Sequence, residues 1–177
     1  MQIRALAPHD SLDELTALLH AAYASLVAQG WNFTAAHQSV DVTRERLAGA
    51  QGFVAVAPDG RLVGTVAVRG PKAVGEDYIG DPTPPLYTTP GTAIVSQFAV
   101  HPDCRAQGLG QRLMDQAEAW ARAQGFAQVA LDTAQPATAL RARYQRRGYR
   151  EVGGVQWAGK TYASVLMCKP LAAGGSR

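Results

Sequence analysis

The most constraining stretch lies between residues 92 and 125, where three kinds of pattern follow one another without a spacer. Thr92–Val100 is apolar and β-branched and reads as a strand, and His101-Pro102-Asp103 stops it. Arg105-Ala106-Gln107-Gly108-Leu109-Gly110 follows as a short loop with two glycines. Leu109, Leu113, Ala117 and Trp120 then fall at helical spacing, and Gly125 is a natural stop, which predicts a helix over about 108–124. A helix that opens at the end of a strand presents unpaired backbone N–H groups and partial positive charge, a ready site for phosphate. Glycines at 108 and 110 allow a ligand to approach the backbone closely. The loop is not a Walker A sequence, for no Gly-Lys-Ser/Thr is present. Nor is it the dinucleotide fingerprint, because position 113 is Leu. Taken alone, it reads equally well as a turn opening a packing helix.

The flanking chain supplies more elements of both kinds. Residues 2–6 alternate like a strand, and Asp10 or Ser11 can cap a helix running to about Gln29, with Gly30 as its stop. Trp31 to Ser39 reads as a loop and Val42 to Ala48 as a short helix. Phe53–Ala57 and Leu62–Val68 flank Pro58-Asp59-Gly60-Arg61, whose Asp-Gly marks a hairpin. Residues 70–92 form a long loop rich in Gly, Pro, Asp and Tyr, and a loop that long is commonly functional or mobile. Phe126–Leu131 reads as a strand, and Pro136 suits a first helical position in a helix reaching Arg147. Tyr149–Trp157 and Tyr162–Lys169 read as two last strands, with a frayed tail over 171–177. The order predicts one α/β (α+β) domain over 1–177, with a mixed sheet.

Composition narrows the function classes. No run approaches 18 apolar residues, and the N-terminus lacks the basic and apolar regions of a signal peptide, so a cytoplasmic, soluble protein is expected. Cys104 and Cys168 are too few for a disulfide-stapled fold and read as free thiols in a reducing compartment. Without a Cys-x-x-Cys or a His/Cys cluster, no metal site is expected. The net charge of +3 is too mild to argue for nucleic acid. Arg141, Arg143, Arg146, Arg147 and Arg150 read as a solvated helix face or as a landing surface for an anion.

Arg105-x-x-Gly108-x-Gly110 after an apolar strand resembles the pyrophosphate loop of the GNAT superfamily of acetyltransferases, Gln/Arg-x-x-Gly-x-Gly/Ala. In that family a second strand and helix follow, ending in a Tyr just before a Gly-aromatic pair, which Tyr144-Gln145-Arg146-Arg147-Gly148-Tyr149 matches. A final hairpin completes the family fold. The specific resemblance covers about residues 94–150, and the element order fits the whole chain. It implies a mostly antiparallel central sheet of about seven strands flanked by about four helices. It also implies acetyl-CoA as the cofactor and N-acetylation as the activity.

Carried over residue by residue, the resemblance implies pantetheine pairing with the backbone of Phe98, Ala99 and Val100, next to a bulge. The pyrophosphate would lie on the amides of Ala106, Gln107, Gly108, Leu109, Gly110 and Gln111, with Arg105 adding charge or simply solvated. Tyr144 matches the family tyrosine near the cofactor sulfur. Amine attack on a thioester expels a thiolate, and a neutral phenol can protonate it; packing on the sheet is the plainer role. An ammonium must lose a proton before it attacks. Asp132, twelve residues before Tyr144, is the candidate base, with a capping role as its alternative. Glu76, Asp77 and His101 are further candidates, His101 reading better as a turn residue. Many relatives carry Asn seven residues before the Tyr. Ala137 stands there instead, so that contact is lost or falls to Thr133 or Gln135.

The acceptor wall would come from the early helices, the long loop and the last hairpin. Tyr23, Trp31, Phe33, Tyr78, Tyr87, Trp157 and Tyr162 lie there, of which Tyr23, Trp31 and Tyr78, with Glu76, are the substrate candidates. The acceptor reads as a small-molecule amine, with a protein N-terminal or lysine amine as the alternative. An acyl-CoA-binding sensor or interaction module without turnover is the rival class, and a nucleotide-binding phosphate loop a third. Membrane and nucleic-acid partners are not expected, and analogy suggests a homodimer.

Overall fold

A computed structural model describes residues 1–78 and 80–172. The chain divides into two compact units. One holds Met1–Arg69 and Val95–Ala119, the other Gly70–Ile94 and the chain from Trp120 on.

The first unit opens with β1 (Gln2–Ala5) and α1 (Leu12–Val27). Ser11 caps α1, its hydroxyl accepting from the Glu14 N–H, as the sequence allows. The helix buries Leu15, Leu18, Leu19 and Ala22, the i, i+3, i+4, i+7 face of an amphipathic helix. A 3₁₀ turn at Thr34–Ala36 interrupts the expected loop, and α2 (Val40–Leu47) is capped by Ser39 two residues earlier than the apolar pattern suggests. β2 (Gln51–Val56) and β3 (Leu62–Arg69) pair as the hairpin that Asp59-Gly60 marks.

Arg4 and Asp10 fasten β1 to the start of α1. The guanidinium donates to both carboxylate oxygens at 2.7 Å, and the Ala7 N–H donates to Oδ2 at 2.7 Å. The Arg4 hydrogen bonds, opposed by burial and helped by the Ala7 amide, hold the Asp10 pKa down at about 2. A depressed folded-state pKa stabilises above the unfolded value of about 3.9, and that stabilisation is lost as pH falls through the folded value. The melting temperatures of wild type and Asp10→Asn should therefore differ at neutral pH and converge between about pH 4 and pH 2. A difference that stayed constant down to pH 2 would exclude this ion pair as the cause.

The 70–92 segment carries more structure than a loop. It forms the short hairpin β4 (Asp77–Tyr78) and β5 (Asp81–Pro82), then the single helical turn α3 (Pro85–Thr88). Pro84 and Pro85 preset the φ angles of that turn. Next come β6 (Thr92–Val100), α4 (Leu109–Ala123) and β7 (Gln128–Ala134). β6 and β7 are parallel over Thr92–Ile94 and Gln128–Ala130, so a crossover must join them, and α4 is that crossover. α4 buries Leu109, Leu113, Met114, Ala117 and Ala121. Gly64 of β3 admits this packing, since a Cβ there would lie 2.8 Å from the Leu113 Cδ1.

α5 spans Thr138–Arg146. It starts two residues after Pro136, because Ala137 is the cap residue and still non-helical at ψ 65. β8 (Arg150–Val155) and β9 (Ser164–Pro170) close the fold, β9 lying antiparallel to both β8 and β7. Among the described residues the main sheet has seven strands in the order β1-β2-β3-β6-β7-β9-β8, with β6–β7 as its parallel pair. That is the expected mixed, mostly antiparallel sheet. Five helices accompany it, the additional one being α3 from the long loop. Of the tail expected to fray, 173–177 lies outside the described residues.

Candidate functional site

In the first unit β6 leads through a tight turn into α4. The His101 N–H donates to the Val63 carbonyl at 2.8 Å, and its Nδ1 accepts from the Asp103 N–H at 3.2 Å. His101 thus caps the 3₁₀ turn Pro102–Cys104, the turn role the sequence suggests. Ala106 and Gly108 follow in left-handed conformations, φ 60 and 73. For Gly108 that conformation is free of side-chain strain. For Ala106 it costs on the order of 1 kcal/mol, which the surrounding fold must offset. Residues 105–108 are exposed, and the first turn of α4 carries no carboxylate. The partial positive charge of that helix end is therefore available to an anion.

The two glycines serve different ends. Gly108 supplies the left-handed turn and has open space around it. Gly110 packs closely: a Cβ there would lie 3.2 Å from the Phe98 ring and 3.6 Å from Val100, so the ring would have to give by a few tenths of an ångström. The loop therefore sits directly against the strand proposed to hold the pantetheine arm. An exposed loop, two left-handed residues and a carboxylate-free helix start fit a pyrophosphate.

Arg105 is not simply solvated. Its guanidinium donates to the Ala22 carbonyl of α1 at 2.6 Å. The neighbouring Tyr23 donates its hydroxyl to the Phe98 carbonyl at 2.9 Å, with its ring 5.3 Å from Phe33. Two successive residues of α1 thereby reach the loop and the strand. Tyr23, considered as an acceptor contact, touches the strand that the resemblance offers to the cofactor. Trp31 is half-buried, and its backbone N–H donates to the Leu26 carbonyl.

The second unit holds the acid–base candidates. Asp132 is half-buried on β7. Its Oδ1 accepts from the Tyr87 hydroxyl and its Oδ2 accepts from the Trp157 indole N–H at 2.9 Å. Tyr87 comes from α3 and is fully buried; Trp157 follows β8. Asp132 does not cap α5, where Ala137 has no side-chain cap bond. Tyr78 is buried too, its ring 5.4 Å from Tyr87 and 5.2 Å from Trp157. It buttresses this cluster from within. The Asp81 carboxylate accepts from the Ala158 N–H at 3.0 Å, which ties the short hairpin to the turn after Trp157. Glu76 pairs with Lys72 at 2.8 Å and accepts from the Ala73 N–H. It shapes the segment's own turn.

Tyr144 is half-buried near the end of α5, its ring edge-on to buried Tyr149 at 5.8 Å. The Tyr149 N–H donates to the Tyr144 carbonyl at 3.0 Å, so the turn at Gly148 brings the two rings together. Thr133 is buried and Gln135 exposed beside Ala137. In the basic run, Arg141 pairs with Glu151 and donates to the Gln135 carbonyl. No cluster of three His, Cys, Asp or Glu side chains suited to a metal occurs among the described residues. No described helix is long and apolar enough to cross a membrane.

Sequence reasoning names Tyr87 and Trp157 only as wall aromatics. Their union on Asp132 joins residues 45 and 25 positions from it, and no local pattern announces it. It also gives no sign of the left-handed Gln97 within β6 or of its polar partners.

Comparison with known proteins adds independent findings. The model of the acetyltransferase (GNAT) family matches residues 14–149. The chain is 31% identical over 104 residues to the aminoglycoside N(6')-acetyltransferase type 1 of Klebsiella aerogenes, across 59% of this chain and 62% of that protein. The match thus spans somewhat under two thirds of that relative's length. Among solved structures, the ribosomal-protein-S18-alanine N-acetyltransferase of Escherichia coli superposes with a TM-score of 0.71 at 17% identity, over 98% of this chain and 96% of that one. A GNAT family acetyltransferase from Elizabethkingia anophelis with acetyl-CoA bound gives 0.65 at 14% identity, over 96% and 97% of the two chains. At these identities the structural likeness speaks for the fold.

Proposed function

The chain belongs to the acetyltransferase (GNAT) family, and on that premise we propose that it moves the acetyl group of acetyl-CoA directly to a primary amine of a small molecule. The observation that carries this reading is the passage from β6 into α4. Ala106 and Gly108 are left-handed and exposed there, ahead of a helix start without a carboxylate. Acetyl-CoA supplies an activated thioester; the protein's part is to bind it, orient it and handle protons. The amides of residues 106–111 take the pyrophosphate, and the backbone of Phe98–Val100 takes the pantetheine arm. Tyr144 holds a phenolic proton for the leaving sulfur. Asp132, oriented at both oxygens by Tyr87 and Trp157, receives the proton of the incoming ammonium, directly or through water.

The small-molecule acceptor is supported by the similarity to an aminoglycoside acetyltransferase, which makes an aminoglycoside panel the first acceptors to try. Tyr23 and Trp31 contribute to the acceptor wall. Direct transfer without an acetyl-enzyme agrees with the two cysteines, both free and buried. Free thiols also suit a reducing, cytoplasmic setting.

Calorimetric titration with acetyl-CoA, with ATP as control, tests the cofactor assignment. Binding at about micromolar Kd (roughly 8 kcal/mol) and none with ATP is the expected result. Folded protein that binds no acetyl-CoA would end the enzyme reading. Binding without thiol release across an amine panel would leave a CoA-binding module instead.

A further inference from the structure

We propose that Gln97 and Arg46 are positioning residues for the cofactor strand, their side chains gripping β6 at the left-handed residue that immediately precedes Phe98–Val100. The inference rests on the acetyl-CoA reading above and adds a device that holds the strand in shape.

Gln97 lies within a nine-residue strand yet has φ 53. A non-glycine residue persists there only where its surroundings over-determine it. Those surroundings are polar and buried. Gln97 and Gln38 are each 4% exposed, and in one orientation of the Gln97 amide Gln38 Nε2 donates to its oxygen at 2.9 Å. With its oxygen turned toward Arg46, the Gln97 amide accepts from that guanidinium at 2.7 Å from Nη1 and 3.0 Å from Nε. Arg46 Nη1 also donates to Gln38 Oε1 at 3.0 Å. Gln38 Nε2 donates to Thr43 Oγ1 at 2.7 Å, and the Thr43 hydroxyl meets that of Thr16 at 2.7 Å. Thr16 in turn donates to the Leu12 carbonyl. The network therefore joins α1 (Thr16), the turn before α2 (Gln38), α2 itself (Thr43 and Arg46) and β6.

Burying this much polarity is costly unless every member is paired, and apolar side chains would fill the space with less desolvation. What apolar side chains cannot do is hold a strand residue in one backbone conformation through directional bonds. The effect appears one residue further on. The Phe98 carbonyl accepts from the Tyr23 hydroxyl, so α1 meets the strand's backbone directly after the left-handed residue. The strand shape that this clamp fixes is the one that would receive the pantetheine arm.

The test is acetyl-CoA titration of wild type, Arg46→Met, Arg46→Lys, Gln97→Gly and the Arg46→Met/Gln97→Gly double variant, with a thermal melt of each. Glycine accepts the left-handed conformation without strain, so a loss at Gln97→Gly reports the missing grip. In Arg46→Met, Gln97 is free to leave its strained left-handed state, which should weaken binding about tenfold; Gln97→Gly loses the grip without that strain and should weaken binding by less. The double variant should lose no more than either single, because both cut one link. Arg46→Lys, which keeps the charge and a donor, should recover part of the affinity. Wild-type affinity in both single variants would overturn the proposal. So would additive losses without rescue by Lys, which would mark the network as structural only. Should Arg46→Met not fold, Gln97→Gly and Arg46→Lys decide. Wild type that fails to bind would instead bring down the cofactor assignment, and this inference with it.

Discussion

Replacing Tyr144 with Phe is expected to lower kcat by about 10²- to 10⁴-fold, the usual range for a lost general acid, while the KM for acetyl-CoA changes little. The substitution removes one oxygen and keeps the ring, so the edge-on contact with Tyr149 at 5.8 Å survives. A phenol, with a reference pKa of about 10, is protonated at neutral pH, and a thiol at about 8.5 makes a moderate leaving group. The hydroxyl can therefore share its proton as negative charge grows on sulfur, a stabilisation present in the transition state and absent from the bound ground state. Such an interaction depresses kcat and kcat/KM together. Steady-state kinetics with free-thiol detection checks this. An unchanged kcat would leave Tyr144 with a packing role.

Asp132→Asn should lower kcat/KM by roughly 10²-fold near pH 7, with the deficit shrinking as pH rises toward the amine's own pKa of about 10. The direction follows from what the base does. Below that pKa the acceptor arrives as an ammonium and must give up a proton. Near it, a growing share arrives neutral and needs no help. The carboxylate accepts at both oxygens, from Tyr87 and from Trp157. Asn presents one oxygen and one NH₂, so one of those two donors would face another donor. That mismatch carries a stability cost of about 1–3 kcal/mol, visible in a thermal melt and independent of the rate's pH dependence. A deficit of equal size at every pH would assign Asp132 to structure.

Much of this architecture is legible in the chain because local physics dictates it. Ser11 ahead of a 3.6-residue apolar repeat starts α1, Asp59-Gly60 turns the first hairpin, and the run from β6 through Gly108 into α4 announces itself. Other boundaries moved for equally physical reasons. Pro136 suits a first helical residue, but α5 waits until Thr138, with Ala137 as an uncapped start. The 70–92 segment reads as irregular for lack of any period, yet contacts distant in sequence give it a hairpin and a helical turn. Gly110 reads as room for a ligand, and the fold shows it as room for the Phe98 ring.

The sequence by itself determined the order of the main elements outside 70–92 and the phosphate-loop pattern, since each is written in residues adjacent along the chain or at helical and strand spacing; Tyr144 and Asp132 became candidates through the family resemblance. Tertiary structure alone decided what holds those candidates. Tyr87 and Trp157 meet on Asp132, Arg105 turns to the Ala22 carbonyl, and Gln97 takes a left-handed φ among Gln38 and Arg46. The physical reason is range. Propensity and periodicity act over a few residues, whereas a buried hydrogen bond joins groups whose sequence separation is arbitrary and whose pairing only the packed chain can specify.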